Sequence, residues 1–246
     1  SILPWVAHAY TATGTVWAFL ATAMTFSYNF RAAFIFLVIA TFVDSTDGVL
    51  ARAFKVKERI PHFDGALLDN IIDYMTFVFI PALIVWRADL VGAPLAFPVC
   101  AAMLMSSAYG FAHAAAKVED GDHFFTGFPS YWNIVVVYLY ILQPRHMVSA
   151  ILLVALAVLV FVPIRYVYPS RTRTFRNVTL FLGATWAAIF TWMIFRLPET
   201  GGPWTTLSLV FPAWYVGLSL WLHGRERIGS PTPARSGGPN RRGQNP

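Results

Sequence analysis

Charge is what this 246-residue chain has least of: Asp, Glu, Lys and Arg make up 12% of it. That is about half the share found in soluble domains, which excludes an ordinary water-soluble fold. Cysteine is nearly absent too. The single Cys100 lies in an apolar run, so an intrachain disulfide and a cysteine-based metal site are both excluded. It reads as a small buried hydrophobe. The N-terminus lacks a basic region leading into an apolar run and a small-residue cleavage site, so no cleavable signal peptide is expected. The formal charge of +6 would suggest nucleic acid in a soluble protein. Here the basic residues cluster in loops and tail, so membrane lipids are the expected partner and nucleic acid is not.

Apolar residues are what the chain has in excess: 57% of the sequence, with 16% aromatics and nine Trp, and a mean hydropathy of +0.57. This composition predicts an all-α, polytopic transmembrane helical bundle with interfacial aromatic belts. At about 20 apolar residues per crossing, eight spans fit: 11–28, 32–43 running on into a polar block, 66–86, 93–116, 131–142, 147–164, 177–195 and 204–222. Residues 1–10 read as an interfacial segment, 165–176 as a basic loop, and 223–246 as a disordered basic tail. With both termini on the cytoplasmic side, the inner loops and tail carry fourteen basic residues. The outer side keeps four, Arg31, Arg87, Arg145 and Arg196. That bias sets the expected orientation.

Five of the eight aspartates fall between 44 and 73. Asp44 and Asp47 are three apart and Asp69 and Asp73 four apart, so on helices each pair puts its carboxylates on one face. Carboxylates at the ends of apolar helices are costly unless paired or bound to cations. Four oxygen donors suit Mg²⁺, Mn²⁺ or Ca²⁺, whereas zinc would call for His or Cys at ligand spacing. Such a site, facing the cytosol beside Arg52, would suit a pyrophosphate. Gly48 and Gly65 leave room for a nucleotide against the helix backbones. One carboxylate facing a nucleophile could act as general base. The plain alternative is structural pairing of the aspartates with Arg52, Lys55, Lys57 and Arg59 in the connecting hairpin. Asp64 falls outside the spacing and reads as a solvated loop residue or a helix N-cap.

The pattern Asp44-x2-Asp47-Gly48-x2-Ala51-Arg52, then Gly65-x3-Asp69-x3-Asp73, resembles the signature of the CDP-alcohol phosphotransferases, matching all eight positions. The resemblance implies a six-span core, here 11–164, followed by two further C-terminal spans in 165–222. It implies transfer of a phosphatidyl or similar group from a CDP-linked donor to an alcohol, with release of CMP. It also implies two Mn²⁺ or Mg²⁺ ions on Asp44, Asp47, Asp69 and Asp73. Asp73 would deprotonate the acceptor, and Gly48, Ala51, Arg52 and Gly65 would line the CDP site. The twelve residues between Arg52 and Gly65 exceed the commoner family spacer. With the two extra spans and the segment FTGFPSYWN (125–133), they look like the bacterial phosphatidylcholine synthase branch, which joins CDP-diacylglycerol to choline at the inner membrane.

Choline has no N–H to donate and is held by aromatic faces and carboxylate fields. The choline candidates are Tyr131 and Trp132, with Tyr109 and Tyr74 weaker; Glu119, Asp120 and Asp122 would add negative field, and His113 or Asn133 a hydrogen bond. Tyr and Trp at helix starts are more often interfacial anchors. Arg165 and Arg171 are candidates for the lipid phosphates, against a plain topological role. Serine, glycerol phosphate or inositol phosphate as acceptor is the nearest rival reading. A divalent-cation transporter is the rival from another class, although the acids sit at one face only; an intramembrane aspartyl protease would need a single Asp dyad. Small-residue helix faces permit a homodimer.

Overall fold

The chain begins as one long helix. Pro4 sits in its first turn, where a missing N–H costs nothing, and α1 then runs unbroken over Leu3–Phe26. The residues expected at the interface are thus its first turns. The structure, a computed structural model, describes residues 2–113, 124–162, 165–167 and 175–229. Tyr28 takes a left-handed turn conformation. Asn29 then caps α2 (Phe30–Ala53) by accepting a hydrogen bond from the Ala32 amide. The polar break at Asn29 and Arg31 is therefore a helical hairpin, and α1 packs along α2.

The basic hairpin folds as a single helical turn, α3 (Val56–Arg59), entered through a left-handed Lys55. Asp64 caps α4 (Gly65–Asp73), its carboxylate accepting from the Leu67 amide at 2.9 Å. A π-helical stretch, Tyr74–Phe79, follows directly, and α5 (Ile80–Arg87) completes one continuous rod over Gly65–Arg87. Pro81 lies in the first turn of α5. A proline inside such a rod removes a backbone donor and crowds the carbonyl four residues back, and a widened turn is one way to absorb it.

Then come α6 (Ala93–Ala112), α7 (Trp132–Leu142), α8 (His146–Leu159), α9 (Arg176–Phe195), α10 (Pro203–Ser208) and α11 (Val210–Gly229). The core is built from Phe34 and Leu37, from Val78, Ile80, Ile84 and Val85, and from Met103, Val136 and Leu153. Large apolar side chains also point outward: Phe19, Phe97, Met105 and Phe181 are each 69–73% exposed. Among the described residues, four helices are long and apolar enough to cross a membrane: Phe30–Ala53, Gly65–Arg87, Ala93–Ala112 and Arg176–Phe195. This is a helical membrane protein.

The helix α7 keeps nearly its expected bounds, whereas α8, the segment after it and the end of α11 differ from the sequence reading. The helices α7 and α8 have 11 and 14 residues, about 16 and 21 Å long against a hydrocarbon core of about 30 Å. Residues 160–162 do not extend α8. The chain instead enters a short antiparallel ribbon, β1 (Phe124–Thr126) with β2 (Arg165–Val167), in register Phe124↔Val167 and Thr126↔Arg165. Gly127 makes the approach possible: its φ is +85°, and a Cβ there would lie 2.3 Å from the Val160 carbonyl oxygen. At the other end of the sequence α11 continues to Gly229, past residue 223 where a tail was expected; residues 230–246 lie outside the described residues.

Contacts between connections group them at two ends of the bundle. At one end the Arg87 guanidinium sits 4.0 Å over the Tyr28 ring, and Gly92 meets His146. At the other, Gly110 abuts Val160 and the Tyr109 ring packs on Phe161. The aspartates lie towards this second end, at the C-terminal part of α2 and the N-terminal part of α4.

Candidate active site

On α2, Asp44, Asp47, Gly48 and Ala51 follow one another at helical spacing and share a face; Gly65, Asp69 and Asp73 do so on α4. Packing turns the two faces together. Carboxylate oxygens of Asp44, Asp47 and Asp69 all lie within 4.8 Å of one another. The Asp73 carboxylate lies beside that of Asp44 and joins the group. Asp64, occupied as the cap of α4, stays outside it.

Among the described residues no ion pair involves Asp44, Asp47 or Asp73; Lys55 instead pairs with Glu58 on the exposed turn between the motif's halves. Structural pairing with the hairpin's basic residues therefore does not account for these three acids. Asp47 is only 9% exposed, and Oδ1 of Asp73 is buried without a hydrogen-bond partner. Acidic groups held this way need a cation or protons. The donor set fits a hard divalent ion. Two oxygens on one ion can be no farther apart than about twice the metal–oxygen distance, about 4.2 Å for Mg²⁺ and about 5 Å for Ca²⁺. A spread of 4.8 Å is within a small side-chain adjustment of that limit.

The two motif glycines are already occupied at close range. A Cβ on Gly48 would lie 3.3 Å from a terminal nitrogen of Arg52, whose guanidinium folds back over the glycine. A Cβ on Gly65 would lie 2.7 Å from the His8 ring. His8 is 8% exposed and packs between Gly65 and the Phe63 ring, 4.3 Å away. The glycines thus serve helix and side-chain packing as well as any room they leave for a ligand.

The first helix is what the sequence reading missed. By sequence, residues 1–10 read as an interfacial segment and 11–28 as a span, yet His8 meets Gly65, the Thr11 hydroxyl donates to Asp47 at 2.8 Å, and Gly14 meets Ile72, the neighbour of Asp73. The spacing 8, 11, 14 places these on one stripe, lodged between α2 and α4. Polar and small residues recur throughout this helix, so that spacing alone did not single these three out. Gly14 carries a testable consequence. A Cβ there would be 2.6 Å from Cγ2 of Ile72, so Gly14→Ala is expected to cost about 1–3 kcal/mol and to displace α4. Unfolding midpoints in detergent, measured beside turnover, should both fall; unchanged values would show that the contact relaxes freely.

The expected acceptor residues are dispersed. Tyr131 precedes α7 and its ring lies 6.2 Å from that of Phe77, one turn beyond Asp73. The Asn133 amide donates to Thr41, one turn before Asp44, so the start of α7 stands close to the aspartates. Trp132 does not line this space: it is 0% exposed, its N–H donates to Ser107 at 2.7 Å, and its ring packs edge-on against Phe128. A buried indole with its donor satisfied is a core side chain. The Tyr74 hydroxyl donates to the Leu104 carbonyl on α6. Tyr109 stacks on His113 and Phe161 near the ribbon. Glu119, Asp120, Asp122 and Arg171 lie outside the described residues, and of Arg165 the backbone alone is described, opposite Thr126 in β2.

Residues 5–162 match the family model of the CDP-alcohol phosphatidyltransferases, and this stretch contains the whole aspartate site. The chain belongs to that family. A phosphatidylcholine synthase of Pseudomonas aeruginosa is 36% identical over 231 residues, 92% of this chain and 94% of the relative. One from Legionella pneumophila is 35% identical over 224 residues, 88% and 87% of the two chains. One from Rhizobium meliloti is 33% identical over 217 residues, again 88% and 87%. This family member is an enzyme of phospholipid biosynthesis, a CDP-alcohol phosphotransferase, and its acidic cluster is able to bind a divalent metal.

Proposed function

We propose that the enzyme transfers the phosphatidyl group of CDP-diacylglycerol to choline, releasing CMP. The observation that carries the reaction is the gathering of the four motif carboxylates at one end of the bundle. The product named in the relatives, phosphatidylcholine, carries the choice of acceptor.

In this reading Asp44, Asp47, Asp69 and Asp73 hold two divalent ions, Mn²⁺ or Mg²⁺, whose charge when bound offsets that of the donor pyrophosphate. Gly48, Ala51, Arg52 and Gly65 receive the CDP moiety, with the Arg52 guanidinium beside the phosphates. Asp73 takes the proton of the choline hydroxyl through its unpartnered oxygen. The alkoxide oxygen attacks the phosphorus attached to diacylglycerol, a new P–O bond forms, and the bond to CMP breaks. Tyr131 offers the trimethylammonium an aromatic face. Trp132 is left out because its surface is buried. Tyr109, Glu119 and Asp122 are secondary choline contacts, and Arg165 and Arg171 are assigned to the lipid phosphate.

The site faces the cytoplasm of a bacterial inner membrane, with both termini on that side, as fourteen basic residues against four support. The helices α1, α7, α8 and the α10–α11 pair complete an eight-span arrangement with the four long apolar helices. The core is assigned to 11–164 and the two added spans to 165–222.

A panel of labelled alcohols with CDP-diacylglycerol and Mn²⁺ tests the acceptor. Choline is expected to be incorporated, with serine, glycerol phosphate and inositol phosphate at background. Incorporation of any of these three without choline would replace the acceptor and leave the reaction class standing.

A further inference from the structure

The carboxylate of Asp47 is held by a group outside the family motif. It is 9% exposed and lies on the α2 face turned towards α1. There the Thr11 hydroxyl contacts its Oδ2 at 2.8 Å. That hydroxyl has one proton and two acceptors in reach, the other being the Ala7 carbonyl at 3.3 Å. The shorter contact, to the carboxylate oxygen, is the stronger claim on it.

The neighbouring rung has a fixed direction. The Thr46 hydroxyl lies 2.8 Å from the Phe42 carbonyl, which can only accept, so Thr46 donates there. The Tyr10 hydroxyl, 2.7 Å from Thr46, is then the donor across the helix interface. Two consecutive residues of α1 thus donate to two consecutive residues of α2, at the turn that carries the carboxylates. Such hydrogen bonds hold α2 in rotation about its own axis, and a rotation of α2 would carry Asp44 and Asp47 away from Asp69.

We propose that Thr11 is a positioning residue for Asp47, donating to one carboxylate oxygen so that the acidic cluster is arranged for a divalent cation before the cation arrives. The proposal rests on the reading of Asp47 as a metal ligand. Groups that orient a ligand in this manner typically change metal affinity 10- to 100-fold when removed. In this proposal Thr11 acts through Asp47, as a positioning and not a catalytic residue.

The test uses the full-length protein in detergent and Mn²⁺ alone, with free Mn²⁺ followed by its electron spin resonance signal. Thr11→Val and Thr11→Ala remove the hydroxyl; Thr11→Ser keeps it. Thr15→Val is the control, since Thr15 is exposed and its hydroxyl bonds only within α1, to Ala12. The Val and Ala variants are expected to weaken Mn²⁺ binding about 10- to 100-fold, while Ser and the Thr15 control stay near the parent. In turnover, the Mn²⁺ concentration for half activation should rise with little change in the KM for CDP-diacylglycerol. Parent-like Mn²⁺ affinity in either hydroxyl-free variant would overturn the proposal. So would failure of both to fold, with Mn²⁺ unable to rescue them, because Thr11 would then serve the fold alone. Asp47→Asn and Asp69→Asn separate the two readings. If they too bind Mn²⁺ like the parent, the metal site itself is misassigned; if they lose Mn²⁺ and the Thr11 variants do not, only the positioning role fails.

Discussion

Asp73→Asn is expected to lower turnover by about 10²- to 10⁴-fold, the usual worth of a general base, or about 3–5 kcal/mol of barrier. Asparagine has nearly the same shape and keeps an oxygen that can accept, but it cannot take a proton. Two structural facts focus the prediction on this carboxylate. Asp73 is the motif aspartate farthest along α4 from the exposed α3 turn. Its Oδ1 is also buried without a partner, leaving it available to an incoming hydroxyl. CMP release and choline incorporation would be followed together, with size-exclusion behaviour and helical circular dichroism as checks on folding. Because Asp73 is also proposed to hold metal, Mn²⁺ binding should be measured on the same variant. Near-parent Mn²⁺ affinity with lost turnover supports the base assignment. Turnover within about tenfold of the parent would remove it.

Chelation should have an effect as large. Stripping divalent ions is expected to abolish turnover, and Mn²⁺ or Mg²⁺ should restore it, because a clustered set of acidic side chains offers no positive charge to a pyrophosphate. Among the described residues no Lys or Arg pairs with Asp44, Asp47 or Asp73. Without a cation these acids repel an anionic donor and one another. Saturation should also stabilise the fold. An ion at 100 times its dissociation constant contributes about 2.7 kcal/mol if it binds the folded state alone, readable as a rise in the unfolding midpoint. Asp69→Asn should reduce that rise, since Asp69 brings α4 to the cluster formed by α2. Chelator-resistant turnover, or an undiminished midpoint rise in Asp69→Asn, would count against the metal site.

These predictions depend unequally on sequence and structure. Periodicity was enough for the aspartates. Three- and four-residue spacings define helix faces whatever surrounds them, and Asn29 and Asp64 are residues whose side chains cap helices by local geometry. Hydropathy was enough for the long spans, since the match between apolar length and bilayer thickness is a property of each segment alone. The same local logic misread Trp132. An indole just before an apolar run reads as a choline contact or an interfacial anchor, and its burial is set by Ser107 on another helix as well as by nearby Phe128. The ribbon was invisible for a related reason. Strands of three residues have no periodicity to detect, and their pairing joins segments forty positions apart in the chain.

The charge pattern, the four long apolar helices and the eight motif residues, and with them the reaction class, were determined by the sequence, because each rests on residue identity and near-neighbour spacing. The tertiary structure decided which helix completes the site. It lodged α1 between α2 and α4, placed Gly14 against Ile72 and aimed the Thr11 hydroxyl at Asp47. Contacts between residues 36 and 58 positions apart depend on helix rotation and crossing, which side-chain packing across the whole bundle settles.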